Sequence, residues 1–269
     1  MSRSRSLPRA RDARRPSVST RKRLSQNFLA DTGAAHLLVR SSGIGADDLV
    51  LEIGPGDGIL TRQLAATARR VLAYELDPRY AQRLRRRYTG DARVSVHQAD
   101  FRTVRPPGEP FAVVANIPYG STTDIVRWCL AAPTMTSATL LTQLEFARKQ
   151  TGDYGRWSKL TVTHWPRTEF ALGPRVDRTR FRPVPQVDSA VLHLRRRGEP
   201  LLPARADRDY RALVELGFSG VGGSLAASLR TRFPPRLVRR ACAFAGVAPD
   251  EPVGFVDPDR WLTLYRALI

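Results

Sequence analysis

Leu49-Val50-Leu51-Glu52-Ile53-Gly54-Pro55-Gly56-Asp57-Gly58 decides the architecture. A run of strand length passes directly into three glycines at alternate positions, and apolar residues at helical spacing follow over 59–69. A strand that ends in a glycine turn and feeds a helix is the opening unit of a parallel α/β sheet, and the glycines let a ligand come close to the backbone. The stretch therefore reads as a nucleotide-binding turn. A dinucleotide fingerprint needs its third glycine three residues after the second, but Ile59 stands there and Gly58 comes two after Gly56. No lysine is followed by Ser or Thr, which removes a P-loop and with it triphosphate hydrolysis.

Outward from this turn, short apolar runs at 71–75, 94–97, 111–116 and 138–142 read as further strands, with helical patterns near 78–88 and 122–131 between them. The alternation predicts a doubly wound, mostly parallel α/β domain. Alternating apolar and polar residues over 187–194 suggest a late strand, antiparallel if it closes the sheet. After Gly198 and Pro200 only helical patterns remain, near 207–217, 222–231, 235–245 and 258–268. Three units are expected: a basic arm over 1–23, an α/β domain over 24–197 and a small all-helical C-terminal domain over 198–269.

Two acids and one aromatic belong with the glycine turn. Glu75 ends the second strand, where a carboxylate can accept both hydroxyl protons of a ribose. Asp100, after the third strand, can accept from an adenine amino group, and Phe101 can cover a base face. The competing reading for these acids is capping of the next helix, most credibly for Asp77.

Asn116-Ile117-Pro118-Tyr119 ends the fourth strand, where open α/β sheets place their ligands. An exocyclic adenine amine is a poor nucleophile because its lone pair is delocalised into the ring. The Asn116 side-chain oxygen and the Ile117 carbonyl can accept its two protons, Pro118 fixes the turn, and Tyr119 can stack on the base. Such a site works by positioning and electrostatics, without a general base.

With these residues in place the chain resembles the adenine-N6 rRNA methyltransferases, and among them the Erm macrolide-resistance family more than the housekeeping dimethyladenosine transferases. The resemblance runs from Leu24 to about Arg197. Its landmarks are Ser25-Gln26-Asn27-Phe28-Leu29, the turn from Glu52 to Gly58, Asn116 to Tyr119, Gln143-Leu144-Glu145-Phe146-Ala147, Tyr154-Gly155-Arg156, and Phe181-Arg182-Pro183-Val184-Pro185-Gln186-Val187-Asp188-Ser189. It implies a seven-stranded class I methyltransferase sheet and an S-adenosylmethionine site lined by Gln26, Asn27, Leu29, Gly54, Gly56, Glu75, Asp100, Phe101 and Asn116. Tyr119 and Phe181 would hold the target base; read without the family, Phe181 on its proline-flanked loop is equally a core anchor. Ile117 matches the Erm form, where the housekeeping relatives usually carry Leu. Ala115 stands where Gly is usual, a change that removes no catalytic group.

Composition agrees with an RNA substrate. The 269 residues carry 44 Lys and Arg against 25 Asp and Glu, a net charge of +19, the footprint of a polyanion partner. Residues 1–23 hold nine basic residues and one acid, Asp12, too polar to fold alone and suited to nonspecific phosphate attraction. Arg230, Arg232, Arg236, Arg239 and Arg240 form either a solvated helix face or part of an RNA-binding surface. Cys129 and Cys242 lie far apart with no metal-ligand spacing, so neither a disulfide framework nor a metal is expected. No apolar run reaches the roughly 20 residues that span a bilayer, and a cytoplasmic monomer is expected.

The resemblance implies methylation of N6 of one adenosine in the peptidyl transferase region of protein-free or precursor 23S rRNA, giving macrolide, lincosamide and streptogramin B resistance. The alternatives are a 16S rRNA adenine dimethyltransferase, a DNA adenine methyltransferase, and a noncatalytic RNA-binding assembly factor on the same fold.

Overall fold

The structure, a computed structural model, describes residues 27–269. The arm expected over 1–23 and the expected cofactor residue Gln26 lie outside the described residues. The chain enters through a short strand, β1 (Phe28–Leu29), and helix α1 (Thr32–Ser42). Asp31 starts that helix by accepting from the Ala34 amide at 2.8 Å, and Gly43 ends it in the left-handed conformation with φ 69°. A regular α/β alternation follows: β2 (Leu49–Ile53), α2 (Ile59–Thr67), β3 (Arg70–Glu75), α3 (Pro78–Arg87), β4 (Val94–Gln98), β5 (Phe111–Asn116), α4 (Thr122–Ala131) and β6 (Met135–Gln143).

Every residue of β2 is buried, as a strand covered on both faces requires, and β2 pairs in parallel with β3 on one side and β5 on the other. After β6 come α5 (Leu144–Gln150), α6 (Lys159–His164), β7 (Thr168–Val176), the two-residue β8 (Phe181–Arg182) and β9 (Ser189–Arg196). The main sheet has seven strands in the order β4-β3-β2-β5-β6-β9-β7, with β9 antiparallel to both its neighbours. Strand order reverses at β2, so the carboxyl ends of β2, β3 and β5 open onto one crevice. β1 and β8 form a separate antiparallel ladder that pairs Phe28 with Arg182 and Leu29 with Phe181.

The expected strands all appear, and the late one is antiparallel at 189–196. β7 has no counterpart among the expected strands, and it carries Gly173 and Pro174, residue types common in turns. They sit instead at a bulge, where the pairing register with β9 shifts between Leu172 and Arg175. A Cβ on Gly173 would come within 2.6 Å of the His193 ring, so the glycine admits a side chain from the neighbouring strand. An edge strand tolerates the proline.

The C-terminal helices are α7 (Asp207–Gly217), α8 (Leu225–Arg230), α9 (Pro235–Phe244) and α10 (Pro258–Leu268). They surround their own core, in which Trp261, Tyr210, Leu225 and Val238 are buried. Val162 on α6 is buried in the same core, so α6 packs against these helices although it precedes residue 198 in the chain.

Candidate active site

Tight backbone geometry at the carboxyl end of β2 builds the first wall of the crevice. Gly54, Gly56 and Gly58 have φ of 67°, 55° and 79°, in the left-handed region that side chains avoid. A Cβ on Gly56 would also meet the Phe28 ring at 2.6 Å, so β1 packs directly over the turn.

Glu75 closes the turn from the tip of β3. One carboxylate oxygen accepts from the Gly56 amide at 3.0 Å and the other from the Asp77 amide at 2.9 Å. Burial pushes the Glu75 carboxyl above the ordinary glutamate range, and these amide bonds pull against that rise. Each oxygen keeps a further lone pair for a ligand hydroxyl. Asp77 itself caps α3 through the Arg79 amide at 2.8 Å, with Pro78 in the first turn.

A cavity of about 420 Å³ opens beside this carboxylate. Glu75 and Asp100 supply its acids, Leu76 and Phe101 its apolar walls, and Pro118 and Ser121 its far side. Phe101 is buried with its ring 4.3 Å from that of Trp128, which presents a rigid surface to the cavity. Asp100 caps the following turn through the Arg102 amide at 3.0 Å and pairs with the Arg102 guanidinium at 2.6 Å. That guanidinium holds the Asp100 carboxyl below the usual carboxylate range. Asp100 thus caps the turn and also lines the cavity.

A narrower recess adjoins the glycine turn, lined by Leu29, Glu52, Gly54 and Asn116. The Asn116 side chain donates through Nδ2 to the Asn27 carbonyl at 2.9 Å. This bond fixes which way the amide points and leaves Oδ1 without a partner among the described residues. Ile117 has its side chain in the core and its amide bonded to the Leu141 carbonyl at 3.3 Å, so only its own carbonyl can serve the site. The half-buried Tyr119 is anchored by a 2.7 Å hydrogen bond between its hydroxyl and that of Ser189.

Comparison with known proteins then decides the family, since the ribosomal RNA adenine dimethylase model matches residues 17–269. The chain belongs to the ribosomal RNA adenine dimethylase family.

Within the family it is 51% identical over 248 residues to an rRNA adenine N-6-methyltransferase of Saccharopolyspora erythraea, covering 92% of this chain and 65% of that protein. The chain thus spans just under two thirds of that relative's length. The crystal structure of the 23S rRNA methyltransferase ErmE superposes with a TM-score of 0.85 at 51% identity, over 90% of this chain and 99% of that one. The mycinamicin-resistance protein MyrB of Micromonospora griseorubida is 39% identical over 251 residues, 93% of this chain and 80% of its own length. The seven-stranded class I methyltransferase sheet, with helices at its C-terminal end, is thereby the fold of this dimethylase-family chain.

One expected site residue lies beneath the surface of the crevice. Phe181 has no exposed surface, so a base reaches its ring only if the packing around it shifts. It is locked in the core with Leu29, Leu38 and Leu141 and pairs with Leu29 across the β1–β8 ladder. Phe181 anchors that ladder, and its expected role at the target base stays a proposal beside that of Tyr119.

Sequence reasoning misses three residues. Ser189 stands in the sequence only as the end of a landmark, yet it holds Tyr119. Leu76 lines the cavity while 48% exposed, a position that a hydrophobe just past a strand-tip acid could have signalled. Glu52 heads the glycine turn with no role that the sequence reveals. Its side chain is buried, Oε2 has no hydrogen-bond partner among the described residues, and burial pushes the carboxyl up to about 8. Burial thus favours the neutral form of this acid beside the recess.

Among the described residues no cluster of His, Cys, Asp and Glu could hold a metal ion, and no helix is long and apolar enough to cross a membrane.

Proposed function

We propose that the chain transfers a methyl group from S-adenosylmethionine to N6 of one adenosine in the peptidyl transferase region of 23S rRNA, and so confers resistance to macrolides, lincosamides and streptogramin B antibiotics. The observation that carries this reading is the oriented amide of Asn116 beside the glycine turn, with Oδ1 unpartnered among the described residues. The names of two relatives support the target and the outcome: the ErmE structure is that of a 23S rRNA methyltransferase, and MyrB is a resistance protein.

The cavity suits an adenosine-bearing cofactor in size and polarity. It has a carboxylate at a strand tip for ribose hydroxyls, a second acid for an amino group and apolar walls for a base. Glu75 would hold the ribose, Asp100 the adenine amine and Phe101 the base face, with Gly54 and Gly56 allowing the methionine end to approach the backbone. When bound, S-adenosylmethionine supplies an electrophilic methyl group on a sulfonium. Asn116 Oδ1 and the Ile117 carbonyl accept the two protons of the target amine, drawing its lone pair out of conjugation with the ring. Tyr119, held by Ser189, limits where the base can lie, so the amine is presented in one geometry. Once methylated, the cationic nitrogen is acidic and releases its proton to water. The target base has to be unpaired or flipped to reach this crevice.

Radiolabelled methyl transfer to separate, protein-free 23S and 16S rRNAs, with the modified base mapped by primer extension, tests the proposal. Label at one peptidyl-transferase adenosine of 23S rRNA is expected. Label confined to 16S rRNA would make this a small-subunit dimethyltransferase, and label on neither would leave a noncatalytic RNA-binding factor.

A further inference from the structure

The landmark Tyr154-Gly155-Arg156 takes no part in the crevice, and the conformation of its loop is costly. Tyr154 has a φ of 63°, where a bulky residue is strained, and it is the only described non-glycine residue with positive φ. Its side chain is 67% exposed, so burial does not compensate for the strain. The Arg148 guanidinium lies 5.0 Å from the ring centroid and donates to the Tyr154 hydroxyl, while Asp153 holds that guanidinium at 2.9 Å. Two residues further on, Arg156 lies 5.2 Å from the ring centroid of Phe255, which is 43% exposed. The Trp157 amide bonds to the Gly254 carbonyl at 2.7 Å, tying this loop to the turn that carries Phe255. Two arginine–aromatic pairs are thus displayed in succession, with Lys149 exposed beside them.

The strip is linked to the crevice through α5. Gln143 pairs with Ser189, whose hydroxyl holds Tyr119, and the Leu144 amide bonds to the Asp188 carbonyl at 3.0 Å. Arg148 follows one helical turn later. Exposed aromatic faces capped by arginines match the chemistry of unpaired nucleotides, since every base offers a π-face and every linkage a negative charge. A duplex hides those faces in its stack.

We infer that Tyr154 and Phe255, with Arg148 and Arg156 as their cationic partners, form a stacking strip for unpaired RNA nucleotides that flank the target adenosine. This inference rests on the RNA-substrate reading above.

The test titrates wild type, Tyr154→Ala, Tyr154→Phe, Tyr154→Gly and Phe255→Ala against a fluorescein-labelled single-stranded RNA oligonucleotide and its duplex, and measures methyl transfer to 23S rRNA. The alanine variants should each lose about 5- to 100-fold in single-strand affinity. That loss should enter KM for rRNA, with kcat and S-adenosylmethionine affinity unchanged, and Tyr154→Phe should bind like wild type. Tyr154→Gly separates stacking from scaffolding, because it relieves the strained backbone while deleting the ring. Glycine behaving like alanine supports the strip; glycine binding like wild type overturns it, as does equal wild-type affinity for single strand and duplex. If wild type methylates no rRNA but still binds single strands through these rings, the enzyme reading fails and the strip stands. If transfer and binding are the same in all variants, the strip fails and the enzyme reading stands.

Discussion

The two buried acids of the crevice carry opposite expectations. Glu75 must be ionised to accept ribose hydroxyls, and burial raises its pKa above 4.5. Cofactor affinity, measured by calorimetry, should therefore fall as pH drops through that raised value, earlier than for an exposed glutamate. Affinity unchanged down to 4.5 would remove Glu75 from ribose binding. Glu75→Gln should weaken cofactor binding at least about tenfold, because an amide offers one acceptor oxygen where the carboxylate offers two. Glu52 behaves differently, since the fold buries it as a neutral acid. Its pKa rises from 4.5 to about 8, so the stability it contributes is complete below 4.5 and is lost as pH climbs through 8. Within that window the loss is about 1.4 kcal/mol per pH unit at most. Glu52→Gln keeps the shape and cannot ionise. Its melting temperature should overtake that of wild type on the alkaline side, and parallel pH profiles for the two proteins would show that Glu52 is not held neutral.

At the scale of elements, the β1–β8 ladder and the glycine turn carry the sharpest expectations. Gly56→Ala forces a side chain into a left-handed backbone and into the Phe28 ring. Cofactor affinity should fall at least about tenfold, with a stability loss of about 1 kcal/mol or more. Phe181→Ala empties a core position and should cost about 3–5 kcal/mol of stability. Phe181→Leu should cost less and leave kcat near wild type; a collapse of kcat with an unchanged melting temperature would return Phe181 to the base. The parallel core of the fold is legible in the sequence because β2 and β5 are mostly apolar runs, interrupted only by Glu52 and closed by Asn116, with glycine or proline beyond them, and their bounds follow from it. β7 is not, since a strand whose bulge carries Gly173 and Pro174 differs from a turn only through its pairing with β9. α1 passes unread although Asp31 and Gly43 mark both its ends. At the site, strand-tip residues such as Glu75 and Asn116 are readable because topology alone puts them at the crevice. The burial of Phe181 and the role of Ser189 depend on packing between distant segments, which no local pattern encodes.

Across the whole molecule the excess of positive charge makes salt a diagnostic variable. Arg230, Arg232, Arg236, Arg239 and Arg240 are all exposed, and none forms an ion pair among the described residues. If they bind RNA, replacing the five with Gln should flatten the plot of log affinity against log salt by about 0.7–0.9 for each phosphate that is no longer neutralised. An unchanged slope would make them a solvated face. One bond also joins the start of the α/β fold to the tip of β5: Asn116 is oriented by the carbonyl of Asn27, 89 residues away in sequence. Every amino acid brings that carbonyl, so exchanging side chain 27 leaves the polarity of the Asn116 amide intact. A one-residue deletion between Leu29 and Thr32 would instead slide the carbonyl out of reach. For the orientation of Asn116, this opening segment should tolerate replacement far better than insertion or deletion, an asymmetry that belongs to the main chain.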